Sequence, residues 1–516
     1  MAQQAPLPAS AFRTLFHPRV VAMLFLGFSA GLPLLLIFSS LSLWLREAGV
    51  ERAAVTYFSW AALGYSFKFV WAPLVDQLPL PLLTRLLGRR RAWLLLAQVA
   101  IVLAILWLAM IDPSSSESNL TLMALAAVML GFSSATQDIV IDAYRIESAP
   151  AEMQALMSAT YIAGYRVGML TAGAGSLWLA DWFGSSSEVY DYHAWQWTYC
   201  AMALAMIIGV ITTLIIREPQ TDADREHAYG SREYARFLLL FAVAIGGFAA
   251  IFFFSGDAID AIKSRLGDAL GSKFIAAFSM EGLRLVLALA GAWLLAMGLV
   301  ASGAVDRQIV ERTYLMPVRE FFGRYGWSLA WILLALIGLY RISDIVLGVI
   351  ANLFYQDLGF SKSEIAGVVK TFGLLMTVAG GFVGGLLALR YGVLRILTLG
   401  ALLSAATNLL FMWLAGIGND IVWLYVVISA DNLSAGIASA AFVAFLSSLT
   451  NVSFTAMQYA IFSSLMTLLP KLLGGYSGSM VDAMGYSSFF LLTALLGLPV
   501  LALIALAAKR LRLRDD

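Results

Sequence analysis

Long apolar runs recur along almost the whole chain, and they limit its possible folds more than any other feature of the sequence. A helix needs about 20 consecutive apolar residues to cross the hydrocarbon core of a bilayer. Runs of roughly that length alternate with short polar connections. We therefore predict fourteen membrane-spanning helices, near residues 20–44, 54–75, 92–111, 119–142, 152–180, 195–216, 237–254, 283–303, 328–350, 362–388, 394–416, 421–446, 453–480 and 486–508.

Composition leads to the same class of protein. Hydrophobic residues make up 61% of the 516 residues and charged residues only 13%. A soluble domain is about half apolar and a quarter charged, so this chain has too few polar side chains to cover a water-exposed surface. We expect an all-α polytopic membrane protein.

Several other classes of protein are disfavoured by what the sequence contains. Lysine and arginine (33) nearly balance aspartate and glutamate (32), so no basic surface indicates nucleic acid. The lone Cys200 cannot form an intrachain disulfide. His17, His193 and His227 fall in polar connections, which argues against a histidine relay or metal site. HExxH, Walker A and GxGxxG patterns do not occur. We expect no enzyme activity, no metal and no cofactor.

Two readings from other classes stay open. A membrane enzyme acting on a lipid-linked sugar would need a nucleophile, base or metal cluster at a membrane face, and we find none in the sequence. A sensor or scaffold would bind its ligand without moving it across the membrane.

Basic residues in the short loops predict the orientation of the chain. RLLGRRR at 85–91, RYGVLR at 390–395 and KRLRLR at 509–514 share one side, whereas 112–118 and 181–194 carry only acidic charges. Cytoplasmic loops are the ones enriched in lysine and arginine. Both termini are therefore expected in the cytoplasm, and the first apolar run is read as a retained helix.

A weak internal repeat divides the chain into two halves. EMQALMSATYIAG at 152–164 is similar to AMQYAIFSSLMTL at 456–468, an offset of 304 residues. Two six-helix halves related by parallel repeats describe the major facilitator architecture. We assign 1–217 to the N-terminal bundle and 324–516 to the C-terminal bundle. Residues 218–323 form an insert with two extra transmembrane helices and an amphipathic connector.

Two short patterns are expected to act in conformational change. APLVDQ at 72–77 and GRRR at 88–91 resemble the signature between the second and third spans of facilitators, which places Asp76, Arg89 and Arg90 in a conformational charge network. Positive-inside topology is the alternative explanation of the arginines. Gly27 and Gly31 have the small-xxx-small spacing of closely packed helices, which must slide when the halves rock.

Longer blocks in both halves resemble the AmpG family. They are GFSAGLP at 27–33, FKFVWAPLVD at 67–76, GRRRAW at 88–93, SSATQDIVIDAY at 133–144, GYRVGML at 164–170, GLYRISD at 338–344, VVKTFGLL at 368–375 and FVAFLSSLTNVSFTAMQYA at 442–460. The insert lies outside the resemblance, so its role is not carried over.

The resemblance implies a secondary transporter of the bacterial inner membrane that works by alternating access. It would import anhydro-muropeptides (GlcNAc-anhydroMurNAc and its peptides) from periplasm to cytoplasm for peptidoglycan recycling, with protons. Such import is connected with β-lactamase induction and antibiotic resistance. The expected partners are the substrate, protons and the lipid bilayer, and the expected state is a monomer. The alternative is a carrier of another organic anion such as acetyl-CoA.

Charged residues within the spans are the first candidates for substrate binding, because a charge at the bilayer centre costs about 2.5–3.5 kcal/mol on insertion scales. Lys68, Arg166 and Lys370 are such residues. Lys68 and Lys370 are predicted to be pseudo-equivalent cations facing a substrate with carboxylates. The alternative is that each lysine pairs with an acid such as Asp344 or Asp431. Arg166 either binds substrate or bridges to Asp138.

Polar and aromatic residues complete the predicted substrate site. Hydrogen-bonding candidates are Gln137, Asp431, Asn432 and Gln458, and Trp71 and Tyr165 are candidates for stacking on sugar rings, with Trp44 and Tyr340 as further aromatics of this kind. Packing between helices is the alternative for every member of this set.

Proton coupling needs a carboxyl that can bind and release a proton near neutral pH. Asp138 is the first candidate, followed by Asp344 and Asp431. Asp142 is one helical turn beyond Asp138, at the predicted cytoplasmic edge. We expect it to pair with Arg145 or the basic loop and to act as a conformational latch.

Overall fold

The computed structural model describes residues 16–50, 68–185, 189–219, 231–361 apart from positions between 257 and 272, 364–474 and 477–515. Helices account for all regular structure in these ranges. The all-α prediction is confirmed. By Cα proximity the chain forms two units, one made of Met1–Thr221 and Tyr325–Asp516 and the other of Asp222–Arg324.

The N-terminal part of the first unit contains nine helices in the described ranges. They are α1 Pro18–Leu35, α2 Leu41–Glu47, α3 Ala72–Gln77, α4 Leu83–Leu87, α5 Arg89–Ala109, α6 Glu117–Ser148, α7 Gln154–Leu170, α8 Ser176–Phe183 and α9 Tyr192–Ile215. The π-helical segments Leu36–Ser40 and Thr171–Gly175 join α1 to α2 and α7 to α8.

The second unit contains two long helices, α10 Ser231–Phe254 and α11 Lys273–Ala301, followed by the short α12 Arg307–Val310. Arg284 of α11 is buried and donates hydrogen bonds to the Phe252 carbonyl near the end of α10, with its guanidinium over the Phe252 ring. The predicted amphipathic connector at 256–274 lies largely outside the described residues.

The C-terminal part of the first unit repeats the pattern of long helices. It contains most of α13 Met316–Leu339, then α14 Ile342–Asp357, α15 Gly373–Tyr391, α16 Val393–Ile417, α17 Ile421–Leu449, α18 Thr455–Gly474, α19 Ser477–Leu495 and α20 Gly497–Asp515. Gly326 and Gly485 have φ of 73° and 76°. Positive φ interrupts helical geometry at both glycines, so new spans begin after them.

Ten helical segments in the described ranges are long and apolar enough to cross a membrane. Leu238–Phe252 and Val286–Ala301 are shorter apolar helices. Two of the fourteen predicted spans do not correspond to any of these segments. The second falls mostly on residues outside the description, and the fifth is divided by the π-helical segment at Thr171–Gly175. The chain is a multi-pass membrane protein, as predicted.

Glycines let α1 and α7 approach to backbone contact. A methyl group built on Gly31 would lie 2.0 Å from the Tyr165 carbonyl oxygen, and one on Gly27 would lie 2.1 Å from that of Tyr161. Gly164 on α7 meets the Leu24 carbonyl in the same way. Van der Waals contact between backbones is the main attraction available to helices in lipid. That helices slide at these glycines when the two halves rock stays a prediction.

Replacing Gly31 by alanine should destabilise the protein by about 1–3 kcal/mol, because the added methyl overlaps backbone atoms that cannot move aside. The matched control is Gly416→Ala, where a methyl meets nothing within 4 Å and helix propensity improves. Thermal unfolding in detergent checks both variants. A Gly31→Ala protein as stable as the control would contradict the packing explanation.

Candidate functional site

Arg90 at the start of α5 is the centre of a buried charge network. Its guanidinium lies 2.8 Å from Asp76 Oδ1 and 2.5 Å from Glu147 Oε1, and it donates to the Val75 carbonyl at 3.1 Å. The side chain is only 1% exposed. Because a buried charge is costly unless it is paired and hydrogen-bonded, these partners fix the position of Arg90.

Asp76 also binds the other half of the protein. Its carboxylate accepts hydrogen bonds from the backbone N–H groups of Ala456 (3.1 Å) and Met457 (2.9 Å), in the first turn of α18. A helix N-terminus carries free N–H groups and positive potential, so it attracts a carboxylate. Asp76 therefore joins the two halves, while Arg89 donates to its backbone carbonyl at 2.5 Å.

Arg145, near the end of α6, forms a second link. It donates to Ser447 of the C-terminal half at 2.8 Å and lies over the Tyr459 ring at 5.2 Å. Within its own half it donates to Gln154 and Ser158 at 3.1 Å. The side chain is fully buried.

Small residues allow α7 and α15 to meet beside these polar links. A methyl on Gly385 would lie 3.2 Å from the Ala155 carbonyl oxygen, and one on Gly381 would lie 3.9 Å from the Ala159 methyl. These contacts and the polar links all occur at the end of the unit that carries Arg89–Arg91, which we call the basic end. The two halves are in contact at the basic end.

Glu147 was not predicted from the sequence, and Arg145 was predicted only as a partner of Asp142. Glu147 binds Arg90 and also interacts with Thr455 of α18. Arg145 and Glu147 follow Asp142 on α6 and lie in the last turn of that helix. A buried arginine needs an acidic partner. The need of Arg90 for such a partner was the sequence signal that could have identified Glu147.

Lys68 and Asp142 form a buried pair further into the N-terminal half. Lys68 Nζ lies 3.8 Å from Asp142 Oδ2, and Arg145 lies 3.4 Å from the other oxygen of Asp142. Lys68 thus pairs with Asp142 rather than with Asp344 or Asp431, the two acids named as alternative partners, and Asp142 lies between the cations Lys68 and Arg145.

Asp138 lies one turn before Asp142 and has fewer partners. It is 9% exposed, and its Oδ1 has no hydrogen-bond partner in the described structure. Tyr161 hydrogen-bonds to the carboxyl, and the charges of Lys68 and Asp142 act on it. The neighbouring Gln137 donates to the Ser29 carbonyl at 3.1 Å, and its Oε1 likewise has no partner among these residues.

A second polar cluster occupies the C-terminal half. Asp344 lies 3.8 Å from Arg341 and interacts with Ser404. Asp431 accepts a 3.4 Å hydrogen bond from Thr407, and the charge of Asp344 acts on it. The structure therefore brings Asp344 and Asp431 together, apart from the Lys68 pair.

Arg166 and Lys370 have no ion pair among the described residues. Arg166 is partly exposed on α7, and the alternative of a bridge from Arg166 to Asp138 is not found. Lys370 is exposed and belongs to the π-helical segment Ile365–Phe372. Both cations remain available to a ligand.

Most of the aromatic and amide side chains that were predicted to contact substrate already contact other groups of the protein. Trp71 donates to Thr136 and packs on Phe132, and Asn432 bonds Thr377. Gln458 accepts from the Asn451 N–H at 2.7 Å. Trp44 stacks on Trp195, and Tyr340 donates to the Leu397 carbonyl. Tyr165 is partly exposed, with its ring 6.0 Å from that of Tyr161.

One stretch fits the GxSxG pattern of hydrolase nucleophiles by its letters alone. Ser29 in GFSAG (27–31) lies inside α1 and is fully buried, and its hydroxyl donates to the Leu26 carbonyl at 2.8 Å. A nucleophile elbow needs an exposed serine on a strand-to-helix turn. This serine has neither feature.

Comparisons with known proteins agree with the fold. The model of the Major Facilitator Superfamily matches residues 23–351. Solved structures of the proton:xylose symporter XylE (TM-score 0.57, 11% identity, 96% of this chain and 95% of that one) and of the E. coli fucose:proton symporter FucP (0.56, 10%, 96% and 99%) share the fold. The chain belongs to the Major Facilitator Superfamily, a class of membrane transporters.

Curated relatives narrow the assignment. A protein named putative transporter AmpG 4 from Rickettsia conorii is 30% identical over 94% of this chain and 95% of its own length. The anhydromuropeptide permease of Escherichia coli K12 is 29% identical over 96% of this chain and 81% of its own. Within the superfamily, the chain is a member of the AmpG family.

Replacing Asp76 by asparagine should loosen the contact between the halves at the basic end. It removes the charge that holds Arg90 and the α18 N-terminus, and breaking a buried pair costs about 3–5 kcal/mol. Maleimide labelling of Ala159→Cys, in a Cys200→Ser background, should therefore become about tenfold faster or more. Ala159 is 1% exposed beside Gly381.

Asp420→Asn is the matched control for this experiment. Asp420 also accepts backbone N–H groups at a helix N-terminus, from Val422 (2.9 Å) and Trp423 (3.2 Å), but within one half. Its labelling rate should equal that of the parent protein. Equal rates for Asp76→Asn and Asp420→Asn would show that Asp76 does not hold the halves together.

Proposed function

We propose that the protein imports anhydro-muropeptides from the periplasm across the bacterial inner membrane, coupled to protons, by alternating access. Membership of the AmpG family supports the substrate class, since a relative named anhydromuropeptide permease aligns over 96% of the chain. The observation that carries the transport mechanism is the set of buried, incompletely bonded charged groups just beyond the closed basic end.

In this proposal the basic end faces the cytoplasm, as the positive-inside rule requires for Arg89–Arg91. The contacts of Asp76 and Arg145 with the C-terminal half then close the cytoplasmic side. A substrate enters from the periplasm and reaches the charged groups from that direction. Release into the cytoplasm requires that the Asp76 contacts with α18 break, so Asp76, Arg89, Arg90 and Asp142 act as conformational residues.

Proton coupling is assigned to Asp138 in this mechanism. Asp142 is held between Lys68 and Arg145, so its negative charge is balanced. Asp138 has no ion pair of its own and one unpartnered oxygen in the described structure. A proton on Asp138 changes the charge next to the Lys68–Asp142 pair and so alters the energy of the contacts at the basic end. Asp344 and Asp431 are second candidates.

Substrate contacts are proposed for groups that have bonding capacity left. Arg166 and Lys370 have no ion pair in the described part of the chain, Gln137 has a free amide oxygen there, and Tyr165 is partly exposed. Lys68, Trp71, Asp431, Asn432 and Gln458 already bind protein groups, so contact with substrate would replace or extend those bonds.

Purified protein in liposomes should take up radiolabelled GlcNAc-anhydroMurNAc-tripeptide. Uptake should rise when a proton gradient, acidic outside, is imposed, because inward proton flow then drives the carrier. Acetyl-CoA is the comparison ligand, as another large organic anion, and empty liposomes are the control. Absence of muropeptide uptake with and without the gradient would refute the proposed function, and uptake of acetyl-CoA alone would replace it.

Asp138→Asn should abolish stimulation of uptake by the proton gradient while leaving exchange of labelled for unlabelled substrate across the membrane measurable. An amide cannot bind and release the proton, but it keeps the shape and hydrogen-bonding capacity of the side chain. Asp420→Asn, an acid at a helix N-terminus outside the charged site, is the matched control and should retain stimulation. Full stimulation in Asp138→Asn would show that another acid carries the proton.

A further inference from the structure

Arg166 occupies the face of α7 that meets the other half. At 3.6 residues per turn, positions 155, 159 and 166 fall within about 40° of one another around a helix. Ala155 and Ala159 touch Gly385 and Gly381 of α15. Arg166 lies on the same stripe about 10 Å further along the axis, while Gly164 and Gly168 face α1 on the opposite side.

Arg341 reaches the same region from the C-terminal half. It lies in the turn between α13 and α14, where the span is interrupted at Tyr340 and Arg341. The neighbouring side chains anchor this turn in the C-terminal core, since Tyr340 donates to Leu397 and Ser343 donates to the Thr493 carbonyl at 2.7 Å. The Arg341 side chain remains 27% exposed.

Both guanidiniums have unused donors. In the described structure Arg341 has one ion pair, with Asp344 at 3.8 Å, and its Nε is buried without a hydrogen bond. Arg166 has no ion pair among the same residues, and the Arg341 charge is near enough to act on it. Each guanidinium offers five N–H donors. Two like charges from opposite halves therefore act on each other, with Asp344 beside Arg341 and Asp431 close enough for the Arg341 charge to act on it.

We propose that Arg166 and Arg341 form a clamp for one carboxylate of the transported molecule, with one arginine from each half. A carboxylate between them neutralises their mutual repulsion and accepts paired hydrogen bonds from both planar forks, a geometry that lysine cannot supply. The clamp rests on the proposed function. It names the carboxylate as the group of the substrate that the protein recognises, because a muropeptide carries several carboxylates. From the sequence, Lys68 and Lys370 were predicted to share this role with Arg166, and Arg341 was not named; Lys68 is paired with Asp142.

The test compares GlcNAc-anhydroMurNAc-tripeptide with the same molecule after amidation of its carboxylates. Wild-type protein should prefer the free acid. Arg341→Gln and Arg166→Gln should raise the half-saturation concentration for the free acid about tenfold to a hundredfold, the loss of charge-assisted hydrogen bonds. Uptake of the amidated molecule should change little, so the preference disappears. Arg341→Lys should give an intermediate preference.

Arg319→Gln is the matched control, because it removes an arginine that is 67% exposed and paired with Glu311 in the second unit. Its preference should equal that of wild type. Thermal unfolding in detergent identifies any variant that fails to fold, and Arg341→Lys then supplies the comparison. Variants that keep the wild-type preference, or that lose affinity for both molecules equally, would overturn the clamp.

Calorimetric binding of the same two molecules separates this proposal from the proposed function. Wild-type protein that binds the free acid in preference to the amide but never transports it would refute transport and support the clamp. Transport with no difference between the two molecules would refute the clamp and support transport. Binding of neither molecule would overturn both.

Discussion

One carboxylate, that of Asp76, links a buried charge network in the N-terminal half to the C-terminal half. Asp76 binds Arg90 through one oxygen and uses both oxygens for N–H groups in the first turn of α18. Arg90 is in turn held by Glu147. A buried carboxylate is costly without its partners, so loss of the α18 contact leaves Asp76 to find water or new donors, while Arg90 keeps Asp76 and Glu147 of its own half. That coupling makes the network suited to two discrete arrangements.

The membrane explains why the rest of the fold is built around such contacts. Lipid provides no hydrophobic drive between helices, so they associate through close packing and hydrogen bonds. Gly27 and Gly31 bring α1 against the α7 backbone, and Gly381 and Gly385 do the same for α7 and α15 across the halves. The first contact lies within a half and the second between halves, so the proposed alternating access requires only the second to open.

The candidate site could be predicted only in part from the sequence. Charged residues in apolar runs are costly, so Lys68, Asp138, Arg166 and Asp431 were recognisable as unusual positions. Their partners were not, because pairing depends on which helix faces overlap in space. Lys68 was expected to face a substrate carboxylate or, as the alternative, an acid such as Asp344 or Asp431, yet it lies beside Asp142. Gln458 and Trp71 were recognisable as polar or aromatic residues but not as residues whose bonds are already used.

The sequence by itself determined the membrane class, the helical architecture and the family. The length of apolar runs and the long blocks similar to a family can be recognised without knowing which residues are in contact. Tertiary structure decided which charges are paired. Asp138 and Asp142 are one turn apart on α6, and sequence spacing cannot distinguish their surroundings. Only the packing of neighbouring segments encloses Asp142 between two cations and leaves Asp138 with an oxygen that has no partner in the described structure. The cause is physical: a buried charge takes its energy from atoms that are distant in the chain and close in space.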